Sequence, residues 1–319
     1  MEKIKVVVIG GGTGLSTVLR GLKHYPFDIT AIVTVSDDGG SSGRLRDDYD
    51  IPPPGDIRNV IAALSDTEPL LEQMFQYRFS NSQDLGGHSL GNLMITALAD
   101  ITGDFSSAIT QMCKILKVHG RVIPAANRKV NLHAEMVDGS IINGESKIPT
   151  SNKKINRVFL VPEDVKPLPD AISAIEGADI ILIGPGSLYT SIIPNLLVKE
   201  IGEKVASAKA RKIYICNLMT QKGETLLYQA SDHVKAIYEH VGKRFLDAIL
   251  VNSNDFPSPI KENYREQDAE PVKVNEDELK KFGLEIIKKD IATIQNGAVR
   301  HEAKAIAEWL FDYSIKYKK

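Results

Sequence analysis

The chain has 319 residues, of which 43 % are apolar, 25 % charged and 6 % aromatic. These values are typical of a globular protein and exclude disordered and collagen-like chains, and the length suffices for one large α/β domain or two modest ones. With 39 Lys and Arg against 41 Asp and Glu, the formal net charge is −2, so no overall positive field favours binding to nucleic acid.

The first 35 residues read as a β-α-β unit. Residues 6–9 are apolar and β-branched, which predicts a strand buried on both faces of a parallel sheet. A glycine-rich run follows at 10–14, then a helical spacing of apolar residues that ends near Leu22, then an apolar strand at 28–35. This order predicts an α/β fold with a Rossmann-like, doubly wound, mostly parallel sheet and right-handed crossovers.

The remaining elements extend this sheet. Buried strands are predicted at 180–183, 213–215 and 248–251, each followed by Gly, Asn or Ser. Between the two groups of strands, turn dipeptides indicate antiparallel hairpins, and we predict a β-rich insertion at about 118–165. An amphipathic helix is predicted at about 301–317. We therefore predict a single domain over residues 1–319.

The location of the protein is predicted from its apolar runs and cysteines. The run at 6–9 is far shorter than a secretory signal or the roughly 20 residues of a membrane span. Cys113 and Cys216 lack the spacing of zinc ligands, which predicts buried free thiols in a reducing compartment. We expect a cytoplasmic protein without membrane insertion.

The loop after the first strand has the position of a phosphate-binding turn. Gly11, Gly12, Thr13 and Gly14 precede a helix, where glycines let backbone N–H groups approach an anion. The strict G-x-G-x-x-G spacing fails, because Leu15 stands where the third glycine is expected, and no Walker lysine is present. A tight turn without a ligand therefore stays open as an alternative.

The loop after the second strand combines acids, serines and an arginine. Asp37 and Asp38 occupy the place where dinucleotide folds bind ribose hydroxyls, so NAD(P) is one candidate ligand. Paired acids also suit Mg²⁺, which makes both residues candidate metal ligands and catalytic residues. Ser41, Ser42 and Arg44 are candidates for contacts with phosphate oxygens.

Two further segments enter helices. Asp56 and Arg58 follow a run of prolines, and we interpret Asp56 as a helix N-cap or a ligand and Arg58 as an anion ligand. His88, Ser89 and Asn92 lie in a second glycine-rich entry to an apolar helix. His88 is a candidate acid, base or hydrogen-bond donor, although a lone histidine is more often structural.

The last anion-type loop follows the strand at 180–183. It contains Gly186, Ser187 and Thr190, and Asn217 follows the next predicted strand. Because parallel strands deliver their carboxyl ends to one edge, we predict one composite site where the strand order reverses. No Gly-x-Ser-x-Gly elbow or HExxH motif is present, which argues against acyl-transfer hydrolases and zinc peptidases.

Taken together, these loops resemble the YvcK-type gluconeogenesis factors, which share a superfamily with the CofD-like 2-phospho-L-lactate transferases. The likeness covers essentially the whole chain. The segments that carry it are residues 9–15, 36–43, 54–58, 86–92, 184–191 and 296–301.

The resemblance implies a homodimeric bacterial regulator of carbon flow into cell-wall precursors and of cell shape. Its implied ligand is UDP-N-acetylglucosamine, and its implied partner is the glutamine-dependent glucosamine-6-phosphate synthase. Tyr264 and Arg300 look like the residues associated with holding this nucleotide sugar. An aromatic face stacks on uracil or sugar and a guanidinium pairs with diphosphate. A surface tyrosine and a helix-capping arginine are the alternatives.

Two other functions stay open from the sequence. One is a Mg²⁺-dependent transferase of phospho-lactyl or related phosphoester groups from a nucleotide-activated donor, in which Asp37 and Asp38 bind the metal. The other is NAD(P) binding without hydride transfer. The transferase branch needs a pocket for a deazaflavin, which the sequence does not reveal.

Overall fold

The architecture is that of a computed structural model, which describes residues 3–80 and 83–317. In chain order, the strands are β1 (Ile4–Gly10), β2 (Phe27–Val33), β3 (Arg121–Pro124), β4 (Asn131–Met136), β5 (Ile141–Asn143), β6 (Ile155–Val161), β7 (Ile180–Ile183), β8 (Arg211–Ile215), β9 (Ala248–Asn252), β10 (Glu285–Lys289), β11 (Ala292–Gln295) and β12 (Ala298–His301).

The helices connect these strands and cover the sheet. They are α1 (Gly12–Leu22), α2 (Gly40–Tyr49), α3 (Gly55–Leu64), α4 (Pro69–Gln76), α5 (Leu90–Thr102), α6 (Phe105–Ile115), α7 (Pro169–Glu176), α8 (Ile193–Leu197), α9 (Lys199–Ser207), α10 (Ala230–Val241), α11 (Ser258–Arg265), α12 (Glu276–Lys280) and α13 (Ala303–Tyr317). Within the described residues, no helix combines the length and apolar character needed to cross a bilayer.

The central sheet is parallel, which confirms the predicted fold class. Its strand order is β10-β9-β8-β7-β1-β2-β3. From β1 the chain winds outward through β2 and β3, and it returns at β7 on the other side of β1. The order therefore reverses between β1 and β7, and this is where a ligand crevice is expected in such sheets.

Both faces of the sheet are buried, which explains the continuous apolar strands. Val6 and Val8 pack into the core with α1, α3 and α13, whereas Val7 and Ile9 point to the opposite core. The antiparallel sheet of β4, β5 and β6 packs on this second face, where it contributes Leu132. Because neither face meets solvent, the strands show no polar alternation.

The segment predicted as a β-rich insertion has two parts in the structure. β3 pairs in parallel with β2 and belongs to the central sheet, whereas β4, β5 and β6 form the antiparallel sheet.

The C-terminal hairpin of β11 and β12 was not predicted, although the Asn296-Gly297 dipeptide is typical of a tight hairpin turn. The φ angles of these two residues, 51° and 76°, are typical of the type I′ turn that joins short antiparallel strands.

Candidate functional site

A crevice of about 370 Å³ opens at the carboxyl ends of β1, β7 and β8. Its volume lies within the range of small-molecule sites. Loops that are up to 290 residues apart in sequence meet here, because all of them leave the same edge of the sheet. The lining consists of Gly11, Gly12, Thr13, Gly14, Thr17, Pro185, Gly186, Ser187, Ser191, Asn217, Leu218, Met219, Thr220, Gln221, Tyr264, Val299, Arg300 and His301.

The floor of the crevice is the glycine loop that begins α1. Gly12 has a φ of 64°, a conformation that favours glycine. Gly14 allows the loop after β7 to approach closely: a Cβ added to Gly14 would lie 2.7 Å from the carbonyl oxygen of Pro185. The backbone N–H groups of Thr13 and Gly14, in the first turn of α1, and the positive dipole end of this helix therefore suit a phosphate group in the crevice.

The C-terminal hairpin brings Arg300 to this crevice. The backbone N–H of Val299 donates to the Tyr264 hydroxyl over 2.9 Å, and His301 Nε2 donates to the Cys216 carbonyl over 3.1 Å. Arg300 lies between these two anchors and is itself exposed. Among the described residues, the only hydrogen bond of its guanidinium is a 3.4 Å contact with the Val299 carbonyl. Its guanidinium is thus available to a ligand.

The loop after β8 holds the loop after β7 in place. Asn217 Nδ2 donates to the Gly186 carbonyl over 2.9 Å, and Gln221 Nε2 bonds to Ser187 Oγ over 2.9 Å. The buried Glu224 carboxylate accepts from Thr190 Oγ1 over 3.1 Å and from the backbone N–H of Tyr189 over 3.2 Å. Thr190 therefore anchors the loop after β7 to Glu224 and does not line the crevice.

Burial raises the pKa of Glu224 to about 7, because desolvation outweighs the hydrogen bonds from Thr190 and Tyr189. An acid whose pKa rises on folding stabilises the fold below its unfolded pKa, and this contribution is lost as the pH rises through the folded value. As the pH rises from about 4 to about 8, we expect the free energy of unfolding of the wild type to fall by up to about 3 kcal/mol relative to that of Glu224→Gln. Urea unfolding at both values measures this difference, and a pH-independent difference would contradict the prediction.

Several predicted site residues form a second cluster outside the crevice. Ser41 Oγ lies 3.0 Å from His88 Nδ1 and accepts from Asn92 Nδ2 over 3.0 Å. Ser89 caps α5 by accepting from the Asn92 backbone N–H, and Arg44 donates to the Gly86 carbonyl. Ser41, His88 and Asn92 thus bind one another and join α2 to the N-terminal end of α5. Burial and then the charge of Arg44 lower the pKa of His88, which favours its neutral form.

The acids of this region do not present a converged metal site. Asp37 Oδ1 accepts from the Gly39 backbone N–H, and Asp38 Oδ1 accepts from that of Ser146, each over 2.9 Å. In the described part of the chain, no group of three or more His, Cys, Asp or Glu side chains is arranged to hold a metal ion. We therefore derive no chemical step through Mg²⁺.

Asp56 connects the second cluster with the crevice. It lies inside the first turn of α3 and does not cap that helix, so its interpretation as an N-cap is wrong. Its carboxylate accepts from the Gly12 backbone N–H, and burial, followed by the charge of Asp37, raises its pKa to about 7. Glu145 also has a raised pKa, of about 8, first from burial and then from the charge of Asp37.

The predicted site residues thus divide into two neighbouring groups. One group lines the crevice and comprises Gly11, Gly12, Thr13, Gly14, Gly186, Ser187, Asn217, Tyr264 and Arg300. The other lies outside its lining and comprises Asp37, Asp38, Ser41, Ser42, Arg44, His88, Ser89, Asn92 and Thr190. Of the four glycine-rich loops, those after β1 and β7 line the crevice, whereas the segments at 36–44 and 86–92 contact each other in the second cluster.

Sequence reasoning missed Gln221 and His301, which also line the crevice. For His301 a signal existed, because it ends the strand that follows the Asn296-Gly297 turn. For Gln221 no local pattern marks the position, since it lies in an irregular loop between β8 and α10.

Comparison with known proteins gives consistent matches over nearly the whole chain. Residues 6–292 match the family model of 2-phospho-L-lactate transferase CofD. A gluconeogenesis factor of Bacillus subtilis is 59 % identical over 311 residues, which are 98 % of this chain and 98 % of that protein. One of Halalkalibacterium halodurans is 55 % identical and covers 98 % and 97 % of the two chains.

A solved structure supports the fold. The crystal structure of a protein from Bacillus halodurans, 55 % identical in sequence, superposes with a TM-score of 0.95. The match covers 97 % of this chain and all of that one.

Proposed function

The chain belongs to the CofD family, with gluconeogenesis factors among its near relatives, and on that premise we propose that it is a regulatory protein whose crevice binds UDP-N-acetylglucosamine. One observation carries the proposal: Tyr264 and Arg300 line the same crevice as the glycine loop that begins α1. An aromatic ring, a guanidinium and a helix N-terminus together suit a nucleotide that carries a diphosphate.

Each part of the crevice has a defined task in this proposal. The N–H groups of Thr13 and Gly14 bind diphosphate oxygens, and the positive end of α1 lowers the energy of the bound anion. Arg300 pairs with the same diphosphate from the C-terminal hairpin. The Tyr264 ring, fixed through its hydroxyl to Val299, stacks on the uracil base.

Regulation requires that the ligand favour one conformational state over another. Because Arg300 and the glycine loop come from opposite ends of the chain, a diphosphate bound by both links the C-terminal hairpin to the loop after β1. We propose that this state changes the affinity for a protein partner, with glutamine-dependent glucosamine-6-phosphate synthase as the candidate and a homodimer as the working unit. Carbon flow into cell-wall precursors, and with it cell shape, is the process controlled.

Calorimetric titration with UDP-N-acetylglucosamine, with and without Mg²⁺, tests the proposal. We expect saturable binding at a stoichiometry of one ligand per chain, and after long incubation we expect the ligand to be recovered unchanged. NAD(P) titrated in parallel shows whether the glycine loop also accepts a dinucleotide. Absence of binding by UDP-N-acetylglucosamine would refute the proposal.

A transferase is the second candidate, because the family model that matches residues 6–292 is that of 2-phospho-L-lactate transferase. Formation of a new phosphoester product in the same incubation would favour this function. If Mg²⁺ held by Asp37 and Asp38 contributes to ligand binding, Asp37→Asn should reduce the Mg²⁺ dependence of the affinity. An unchanged dependence would exclude Asp37 as a metal ligand.

A further inference from the structure

Two exposed arginines bind the glycine-rich segment that leads into α5. Arg44 Nη2 donates to the Gly86 carbonyl over 2.6 Å, and Arg78 Nη1 donates to the Gly87 carbonyl. A Cβ added to Gly87 would lie 3.1 Å from Arg44 Nη2, so the missing side chain makes room for this guanidinium. Among the described residues, neither guanidinium makes another hydrogen bond. Because a guanidinium carries five N–H donors, both arginines keep donors for a further acceptor.

Arg58 brings a third positive charge to the same helix end from α3. Its side chain is 6 % exposed, and a Cβ added to Gly91, in the first turn of α5, would lie 2.9 Å from Arg58 Cδ. Its terminal nitrogens donate to Gln76 Oε1 and Asn59 Oδ1, both neutral acceptors. A buried charge normally has an opposite charge beside it, because its removal from water is costly. Arg58 has no such partner among the described residues.

The three positive charges act on one another and are only partly offset. Burial and then the charge of Arg78 lower the pKa of Arg58, while the charge of Asp56 opposes this shift. At His88, Arg44 and Arg78 again lower the pKa after burial, and Asp48 opposes them. In the part of the chain that the structure describes, every hydrogen bond of the three guanidiniums goes to a neutral oxygen. An added anion would therefore relieve their mutual repulsion.

A phosphate group matches this arrangement. Its oxygens accept charge-assisted hydrogen bonds from guanidinium groups, two at a time from one arginine. The segment that Arg44 and Arg78 bind leads directly to the N-terminus of α5, whose dipole adds positive potential. None of the three arginines lines the crevice, so this position is separate from it.

We propose that Arg44 and Arg78 form a second anion site, which binds a phosphate group at the entry to α5, and that the charge of buried Arg58 strengthens this binding without contact. The site goes beyond the proposed function, because it shares no lining residue with the crevice and needs no nucleotide. Inorganic phosphate and the phosphate monoester of a small metabolite offer the same chemistry to the two arginines.

Calorimetric titrations of the full chain with inorganic phosphate and with glucose 6-phosphate test the site. We expect saturable binding of phosphate, and we expect Arg78→Gln and Arg44→Gln each to weaken it about tenfold, through the loss of a charge-assisted contact. Urea unfolding shows that each variant is folded. Tighter binding of glucose 6-phosphate would identify a monoester as the ligand class, and equal or weaker binding would identify free phosphate. Both results support the site.

Two control variants separate this site from other positive charges. Arg20 is an exposed arginine in the last turn of α1, outside the cluster, and Arg20→Gln should bind phosphate as the wild type does. A loss of phosphate binding in Arg300→Ala but not in Arg78→Gln would assign the anion to the crevice and overturn the second site. Absence of phosphate binding by the wild type would overturn it as well. Failure of UDP-N-acetylglucosamine to bind would refute the proposed function and leave this inference standing.

Discussion

Gly14→Ala is expected to destabilise the protein by about 1–3 kcal/mol and to lower its affinity for UDP-N-acetylglucosamine more than about tenfold. The added Cβ would lie 2.7 Å from the carbonyl oxygen and 2.9 Å from the carbonyl carbon of Pro185. Both are backbone atoms, so no side-chain rotation relieves the contact. The loops after β1 and β7 must move apart, which opens the crevice and misplaces the N–H groups of the phosphate turn.

Gly10, the last residue of β1, offers a matched control four residues earlier. A Cβ added to Gly10 meets Leu15 Cβ at 3.7 Å and the Pro185 carbonyl oxygen at 3.8 Å, which are ordinary van der Waals distances. Gly10→Ala should therefore retain both stability and affinity close to those of the wild type. Urea unfolding and calorimetry measure the two quantities. Equal behaviour of Gly10→Ala and Gly14→Ala would contradict the argument from the close approach of the two loops.

The second large effect is expected for Arg300→Ala, which should weaken UDP-N-acetylglucosamine binding by about 1.5–3 kcal/mol, or roughly tenfold to more than a hundredfold. The reason is the loss of a charge-assisted contact with the diphosphate. Stability should change little, because Arg300 is exposed and the only hydrogen bond of its guanidinium among the described residues is the 3.4 Å contact with the Val299 carbonyl.

Arg300→Lys separates charge from geometry. Lysine keeps the positive charge but lacks the planar fork that pairs with two oxygens at once, so we expect an affinity between those of the wild type and Arg300→Ala. Calorimetry at low and high salt should show a weaker salt dependence for Arg300→Ala than for the wild type. An unchanged affinity of Arg300→Ala would remove this residue from the site.

The two predictions address different parts of the crevice. Gly14 acts through the distance between two loops, so its substitution affects the fold and the ligand together. In the proposed function, Arg300 acts through its contact with the ligand. We expect Gly14→Ala to lower both stability and affinity, and Arg300→Ala to lower affinity alone. This result would support the proposed division of tasks.

The sequence by itself determined the elements of the sheet and much of its edge. Apolar β-branched runs predict β1 and β7 because both faces of these strands are buried, and this requirement appears directly as residue type. The rule that parallel strands deliver their loops to one edge then places Gly11–Gly14 and Gly186 together. Both inferences need only local pattern and a general property of parallel sheets.

Only the tertiary structure decided which polar side chains form hydrogen bonds with one another and which line the crevice. Ser41, His88 and Asn92 have the chemistry of ligand-binding residues, yet they bind one another across loops about 50 residues apart. Gln221 has no distinguishing neighbourhood in the sequence, yet it lines the crevice and its amide bonds to Ser187 Oγ. A hydrogen bond forms only when donor and acceptor lie within a few tenths of an ångström of their preferred separation. For segments that are distant in sequence, the order of residues does not determine that separation.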